Sequence, residues 1–250
     1  TAITSRQYAG QSLVETFRRF AGLGVPDTLT FTEPDPSALA KVAEVVFLAL
    51  PHGAATEYAQ ILLDANCQVI DLSADFRLKD AGVYEEFYES KHSAPPLLND
   101  AVYGLPEIYR DSICNGKLIA APGCYPTSIL LPTLPLLKAG IIKSTGIICD
   151  SLSGVSGAGR NTDEAFLYAE CNESARPYGI PKHRHLSEIE QEFSLAAGEQ
   201  VTIQFSPHLI PATRGILTTQ YLAPTENFKT ETEENTLRDR ITACLESAYA

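Results

Sequence analysis

Three short apolar runs, each closed by a turn rich in Gly, Pro or Ser, limit what this chain can become. Val45 to Leu50 leads into Pro51-His52-Gly53, Val69 to Leu72 into Ser73-Ala74-Asp75, and Leu118 to Ala121 into Pro122-Gly123. A run apolar at nearly every position is what a parallel strand covered on both faces requires. A helical stretch from Ala54 to about Asn66 separates the first two runs. Strand and helix in alternation predict a doubly wound, Rossmann-type α/β sheet, whose ligands collect at the carboxyl ends of the strands. That rule places Pro51, His52, Gly53, the segment Ser73 to Arg77 and Cys124 on one rim. Thr1 to Arg6 reads as the end of another strand with its start, and the first strand-helix unit, missing. Ser5 and Arg6 then join the same rim.

The second half reads differently. Gly146 to Asp150 is a strand that runs into a loop carrying Gly154, Ser156, Gly157 and Gly159, whose backbone can approach a flat ligand or a phosphate. Leu186, Ile189, Phe193 and Ala196 form a helical stripe. Val201 to Phe205 and Gly215 to Leu222 are strands of antiparallel character, and a charged helix closes the chain from about Glu233 to Tyr249. The expectation is an α+β catalytic domain with a mainly antiparallel sheet over 123–250, after a dinucleotide-binding domain over 1–122. Residues 78–117 are polar and loop-rich and read as an irregular excursion over the surface.

Charge and cysteine usage narrow the function. A net charge of −12 on 250 residues argues against nucleic acid or an anionic membrane as partner. No apolar stretch approaches the roughly 20 residues that span a bilayer. The six cysteines (67, 114, 124, 149, 171 and 244) are widely spaced with no C-x-x-C pair. That spacing indicates neither a disulfide framework nor a zinc site, and no metal is expected. Reduced thiols in a cytoplasmic protein are the economical reading.

Among them, Cys124 has the address of a nucleophile. It sits where a buried strand turns into a helix N-terminus, and there the backbone N–H groups and the helix dipole favour an anion such as a thiolate. His183 and His185 lie at i, i+2 and cannot share a helix face, so at least one projects from the loop before the helix. Glu188 lies one turn beyond His185 and is placed to orient it. A cysteine, a histidine pair and a nucleotide-type sheet suggest a thioacyl mechanism, in which the thioester awaits either a hydride or water. The α/β first half favours the hydride. A Cys-His hydrolase or acyltransferase without nicotinamide is the rival.

Seven segments carry a family resemblance: LALPHGA (48–54), VIDLSADFRL (69–78), AVYGLPEIYR (101–110), APGCYPTS (121–128), SGVSGAGR (153–160), KHRHLSEI (182–189) and PHLIPATRGI (207–216). In this order they resemble the N-acetyl-gamma-glutamyl-phosphate reductases, relatives of aspartate-semialdehyde dehydrogenase. The resemblance implies NADPH-dependent reduction of N-acetyl-gamma-glutamyl phosphate to the semialdehyde, with release of phosphate, in arginine biosynthesis. It implies Cys124 as nucleophile and His183 as acid/base partner, with His185 and Glu188 in support. It sets the Gly154–Gly159 loop near the nicotinamide, and Ser5, Arg6, Pro51, His52 and Gly53 along NADP(H), with Arg6 toward the 2′-phosphate. Arg77 and Arg214 are candidates for the substrate's carboxylate or phosphate, because a planar guanidinium binds such groups in bidentate fashion. A homologous acyl phosphate of the aminoadipate type is the variant substrate. Relatives also suggest a homodimer or homotetramer. The family's Gly-rich opening and its closing segment have no counterpart in these residues.

Overall fold

The apolar runs become parallel strands. The structure, a computed structural model, describes residues 1–159, 162–227 and 230–250. It divides into two compact units. The first comprises Thr1–Arg77, Ser93–Gly104 and Asp111–Ala121; the second comprises Leu78–His92, Leu105–Arg110 and Pro122–Ala250.

In the first unit, β1 (Ile3–Thr4) pairs in parallel with β2 (Phe31–Thr32), and the one-turn helices α1 (Leu13–Thr16) and α2 (Pro36–Leu39) flank β2. The main sheet holds β3 (Val45–Leu48), β4 (Gln68–Asp71), β5 (Ala101–Tyr103) and β6 (Leu118–Ala120) in the order β3-β4-β6-β5, all parallel. Helix α3 (Ala55–Asp64) makes the crossover from β3 to β4. β3 departs from the expectation of cover on both faces: Val46 and Leu48 are buried, but Phe47 is 64% exposed. A run that is apolar at every position has no period, so it cannot report which side is covered.

The stretch from 78 to 117 is also more ordered than its composition suggests. It holds α4 (Ala81–Tyr88), α5 (Pro95–Asp100), β5 and α6 (Pro106–Asn115). These elements are set by local chemistry rather than by apolar period. Asp80 caps α4 by accepting from the N–H groups of Gly82 and Val83, and Pro95-Pro96 opens α5 where the first N–H groups have no helical partner.

The second unit is built on α7 (Cys124–Lys138), α9 (His185–Ala197) and α10 (Glu231–Ala248), with a sheet of β7 (Ile148–Ser153), β8 (Arg176–Pro177), β9 (Gln204–Leu209) and β10 (Ile216–Tyr221). The short helix α8 (Tyr168–Cys171) precedes β8. The sheet order is β10-β7-β9-β8. The outer pairings are antiparallel, and the central one, β7 with β9, is parallel. β9 and β10 therefore run opposite to each other, as expected, but are not neighbours. β9 also lies further along the chain than Val201 to Phe205. A proline argues against an inner strand, yet Pro207 sits inside β9 with its carbonyl accepting from the N–H of Tyr178.

Helix α7 is buried along most of its length and contains Pro132 and Pro135. Pro135 has no N–H to give to the carbonyl of Leu131 four residues back. The hydroxyl of Tyr249, just past α10, donates to that carbonyl instead, and the Gln220 side chain on β10 donates to the carbonyl of Ile129. The thiol of Cys244 on α10 reaches the carbonyl of Pro135 at 3.5 Å.

The turn after β5 is tight. A Cβ added at Gly104 would lie 2.9 Å from the carbonyl oxygen of Ala120, which already accepts from the Gly104 N–H at 2.8 Å. Gly104→Ala is expected to destabilise the protein by about 1–3 kcal/mol, read from the urea midpoint with an unchanged m-value. An unshifted midpoint would show that this strand end gives way freely.

Candidate active site

Cys124 is the first residue of α7, and Gly123, its N-cap, offers no side chain to the helix end. The cysteine is exposed, unlike Cys67, Cys149 and Cys171, which are buried. Burial pushes the Cys149 thiol up to about 12, so that sulfur is held protonated. All six cysteines are free thiols.

Cys124 opens on a cavity of about 520 Å³ whose walls also carry His183, His185, Arg176, Arg184 and Tyr178. Every one of these residues belongs to the second unit. The two histidines arrive by different routes. His185 is the first residue of α9, and His183 lies in the turn before it, as their i, i+2 spacing requires.

His185 is buried, and its ring stands against Gly123. A Cβ at position 123 would lie 2.8 Å from His185 Nε2 and 3.0 Å from Glu188 Oε2. Glu188, buried one turn further along α9, accepts the N–H of Gly123 at 2.8 Å through Oε1. The start of α9 is thus fastened to the start of α7 one residue before the sulfur.

His183 occupies a different environment. Its ring meets Tyr125, Tyr178, His185 and Phe205 at centroid distances of 5.4, 5.6, 4.9 and 5.5 Å, all edge-on. Burial, helped by the neighbouring Arg184 charge, lowers its pKa to about 4. Its Nδ1 accepts the backbone N–H of His185 at 3.1 Å, so the neutral ring carries its proton on Nε2. Gly179, at φ +63°, makes room for this ring: a Cβ there would meet His183 Cδ2 at 2.9 Å. The hydroxyls of Tyr125 and Tyr178 lie 2.5 Å apart on the same wall, and burial raises the pKa of both.

The loop after β7 also reaches this cavity through Gly154 and Gly157. Ser156 and Gly159 line a second cavity, which shares Ala158 and Phe166 with the first. Gly154 packs on the chain at Arg214, where a Cβ would come within 2.7 Å of the Arg214 nitrogen. Arg214 itself is exposed and does not line the cavity around Cys124. The last residue of the SGVSGAGR segment, Arg160, lies outside the described residues. Among the described residues, no three His, Cys, Asp or Glu side chains are grouped to hold a metal ion.

The remaining candidates lie in the first unit. Gly53, at φ +84°, turns the chain at the carboxyl end of β3 and leaves open space where a Cβ would stand, as a dinucleotide rim needs. Pro51 and His52 share that turn, and His52 accepts the N–H of Ala74 at Nδ1, 3.1 Å away. Ser5 accepts the N–H of Tyr8, and Arg6 is exposed with one guanidinium nitrogen 3.4 Å from the Tyr58 hydroxyl. Arg77 differs from a substrate clamp. It is 7% exposed, and its Nε and Nη2 donate to the carbonyls of Ala121 and Leu72 at 2.7 and 3.2 Å. The cations on the cavity wall are instead Arg176 and Arg184, which the spacing arguments passed over. Arg184 stood in plain view between the two histidines.

The chain is similar to known proteins along most of its length. Residues 1–116 match the family described as semialdehyde dehydrogenase, NAD binding domain, and residues 124–249 match semialdehyde dehydrogenase, dimerisation domain. The N-acetyl-gamma-glutamyl-phosphate reductase of Akkermansia muciniphila is 56% identical over 218 residues, which is 86% of this chain and 62% of that protein. That of Magnetococcus marinus is 44% identical over 238 residues, 95% of this chain and 67% of its own length. The chain thus spans about two thirds of the length of these relatives. Aspartate semialdehyde dehydrogenase II from Vibrio cholerae superposes with a TM-score of 0.65 at 16% identity, covering 98% of this chain and 69% of that one. Aspartate semialdehyde dehydrogenase with NADP from Candida albicans gives 0.63 at 12%, over 96% and 66%. With its nucleotide and dimerisation segments both matched, the chain belongs to the semialdehyde dehydrogenase family, alongside the N-acetyl-gamma-glutamyl-phosphate reductases.

Proposed function

We propose that this protein reduces N-acetyl-gamma-glutamyl phosphate to the semialdehyde with release of phosphate, through a thioester on Cys124. The observation that carries the reading is an exposed cysteine at the head of α7, sharing one cavity with two histidines and two arginines. Cys124 Sγ attacks the acyl carbon. The carbon–oxygen bond to phosphate breaks, and phosphate departs with the electron pair, leaving the thioester. Arg176 and Arg184 line the cavity and suit the substrate's phosphate and carboxylate. The backbone N–H groups of the first turn of α7 favour the negative charge that develops on the acyl oxygen.

The proton work falls to His185 rather than to His183. His183 spends its Nδ1 lone pair on a backbone N–H and carries its proton on Nε2, so in its neutral form it donates and does not accept. His185 stands beside Gly123 and takes the thiol proton as Cys124 becomes a thiolate, then gives it to the departing phosphate; the aldehyde oxygen needs no proton, because the thiolate leaves with the electron pair. Glu188 holds the two helix ends in register by way of the Gly123 N–H. The loop from Gly154 to Gly159 and the turn Pro51-His52-Gly53 suit NADP(H), which supplies a hydride when bound. Ser5 and Arg6 suit its adenosine end. An assembly of identical subunits built on the second unit fits the matched dimerisation segment and the 65% exposed Leu217 on β10.

Cys124→Ser is expected to lose turnover while keeping its unfolding midpoint, assayed in reverse with semialdehyde, phosphate and NADP⁺. Near-normal rates would remove the thioester, and wild-type activity that did not depend on phosphate would remove the acyl phosphate. His185→Asn is expected to lower kcat by roughly 10²–10⁴-fold, the range of a lost acid/base. His183→Asn is expected to act mainly on KM. The reverse ranking in steady-state kinetics would return the acid/base role to His183. A stability measurement adds a separate check. The folded chain takes up a proton at His183 only near pH 4, whereas the unfolded chain does so near 6.5. This contribution is therefore full above pH 6.5 and is lost as pH falls toward 4. His183→Asn should flatten the decline in urea stability across that window, and an unaltered slope would show that the ring is not desolvated.

A further inference from the structure

The structure assigns to Asp75 a positioning role: it is the N-cap of helix α3, supplied from the loop of the following strand, and it fixes the rim turn at Pro51-His52-Gly53. Helix α3 lacks a cap of its own, because Ala54 stands at that position and has no side-chain acceptor. Asp75 is fully buried. Its Oδ1 accepts the Gly53 N–H at 2.7 Å, and its Oδ2 accepts the Ala55 N–H at 3.0 Å. Both oxygens therefore hold the backbone on either side of Ala54. The tie runs in both directions, since His52 Nδ1 accepts from the N–H of Ala74, next to Asp75. The Asp75 N–H is in turn held by Ser73 Oγ at 3.1 Å, and Ser73 Oγ donates to Asp71 Oδ2 at 2.7 Å.

The chemistry has a consequence for what the rim binds, which rests on the nucleotide reading proposed above. A free helix N-terminus attracts an anion. Here a carboxylate already occupies two of the donors and neutralises the positive end of the dipole. A phosphate brought to this turn would meet a buried negative charge of the same sign, unscreened by water. The turn therefore receives an uncharged or cationic part of the dinucleotide, its nicotinamide and the attached ribose, and the phosphates are held elsewhere.

The test uses full-length protein, wild type and the variants Asp75→Asn and Glu192→Gln. Glu192 is equally buried, in the second unit, and its carboxylate accepts from Tyr109 and Gln191, so it controls for the loss of a buried charge alone. Amide hydrogen exchange is followed at Gly53 and Ala55, and calorimetry compares NADPH with 2′,5′-ADP, which lacks the nicotinamide half. Asp75→Asn should speed exchange at both amides and weaken NADPH about tenfold, the loss of one charge-assisted hydrogen bond. The affinity for 2′,5′-ADP should stay unchanged, and Glu192→Gln should alter neither quantity. Unchanged exchange, or equal weakening of NADPH and 2′,5′-ADP, would overturn the assignment. If Asp75→Asn fails to fold, wild type still decides: NADPH must slow exchange at Gly53 further, and 2′,5′-ADP must not. A wild-type protein that bound neither nucleotide, with exchange still accelerated in the variant, would sink the nucleotide reading and leave the cap standing.

Discussion

The hydrogen bond from the Gly123 N–H to the Glu188 carboxylate is the contact on which the candidate site depends. It joins the first turns of two helices, one headed by Cys124 (α7) and the other by His185 (α9). Such a meeting leaves no space between the chains. The His185 ring and the second Glu188 oxygen fill the volume where a β-carbon at position 123 would stand. A glycine before the cysteine is thus needed for its absent side chain, although its φ of −66° is open to any residue. Two helices so joined place sulfur and imidazole more closely than two loops would, because the buried carboxylate fixes the backbone one residue before the sulfur.

The two histidines illustrate how one residue type is set in two different states by its surroundings. One is enclosed by four rings and stays neutral as a donor; the other stands at a helix start beside a carboxylate. A sequence spells both as the letter H. Their separation by two residues showed that they could not share a helix face, but which lone pair is free depends on a backbone bond that spacing does not encode.

Much of the architecture was legible because it follows from local rules. The three apolar runs and their turns marked β3, β4 and β6, and the stripe from Leu186 to Ala196 marked α9. The strand-to-helix corner at Cys124 was legible too, and α7 begins at that residue. What escaped depended on partners far along the chain. The one-sided cover of β3, the extension of β9 across Pro207 and the insertion of β7 between β9 and β10 are tertiary choices. Arg77 shows the same limit, since a guanidinium bound to two main-chain carbonyls looks, in sequence, like one available to an anion.

The prolines inside α7 give that helix a property that an unbroken apolar cylinder lacks. Apolar packing is tolerant of sliding, because one methyl group resembles the next. An uncovered carbonyl is a fixed address: the oxygen of Leu131, which Pro135 leaves without a helical donor, is met by Tyr249, and the thiol of Cys244 adds a second donor to the Pro135 carbonyl that Ala139 already pairs. Sliding the closing helix by a single residue would separate donor from acceptor on both of these at once. Backbone gaps that would weaken a helix standing alone thereby serve as a key, fixing the register at which the end of the chain settles on the helix that bears the sulfur.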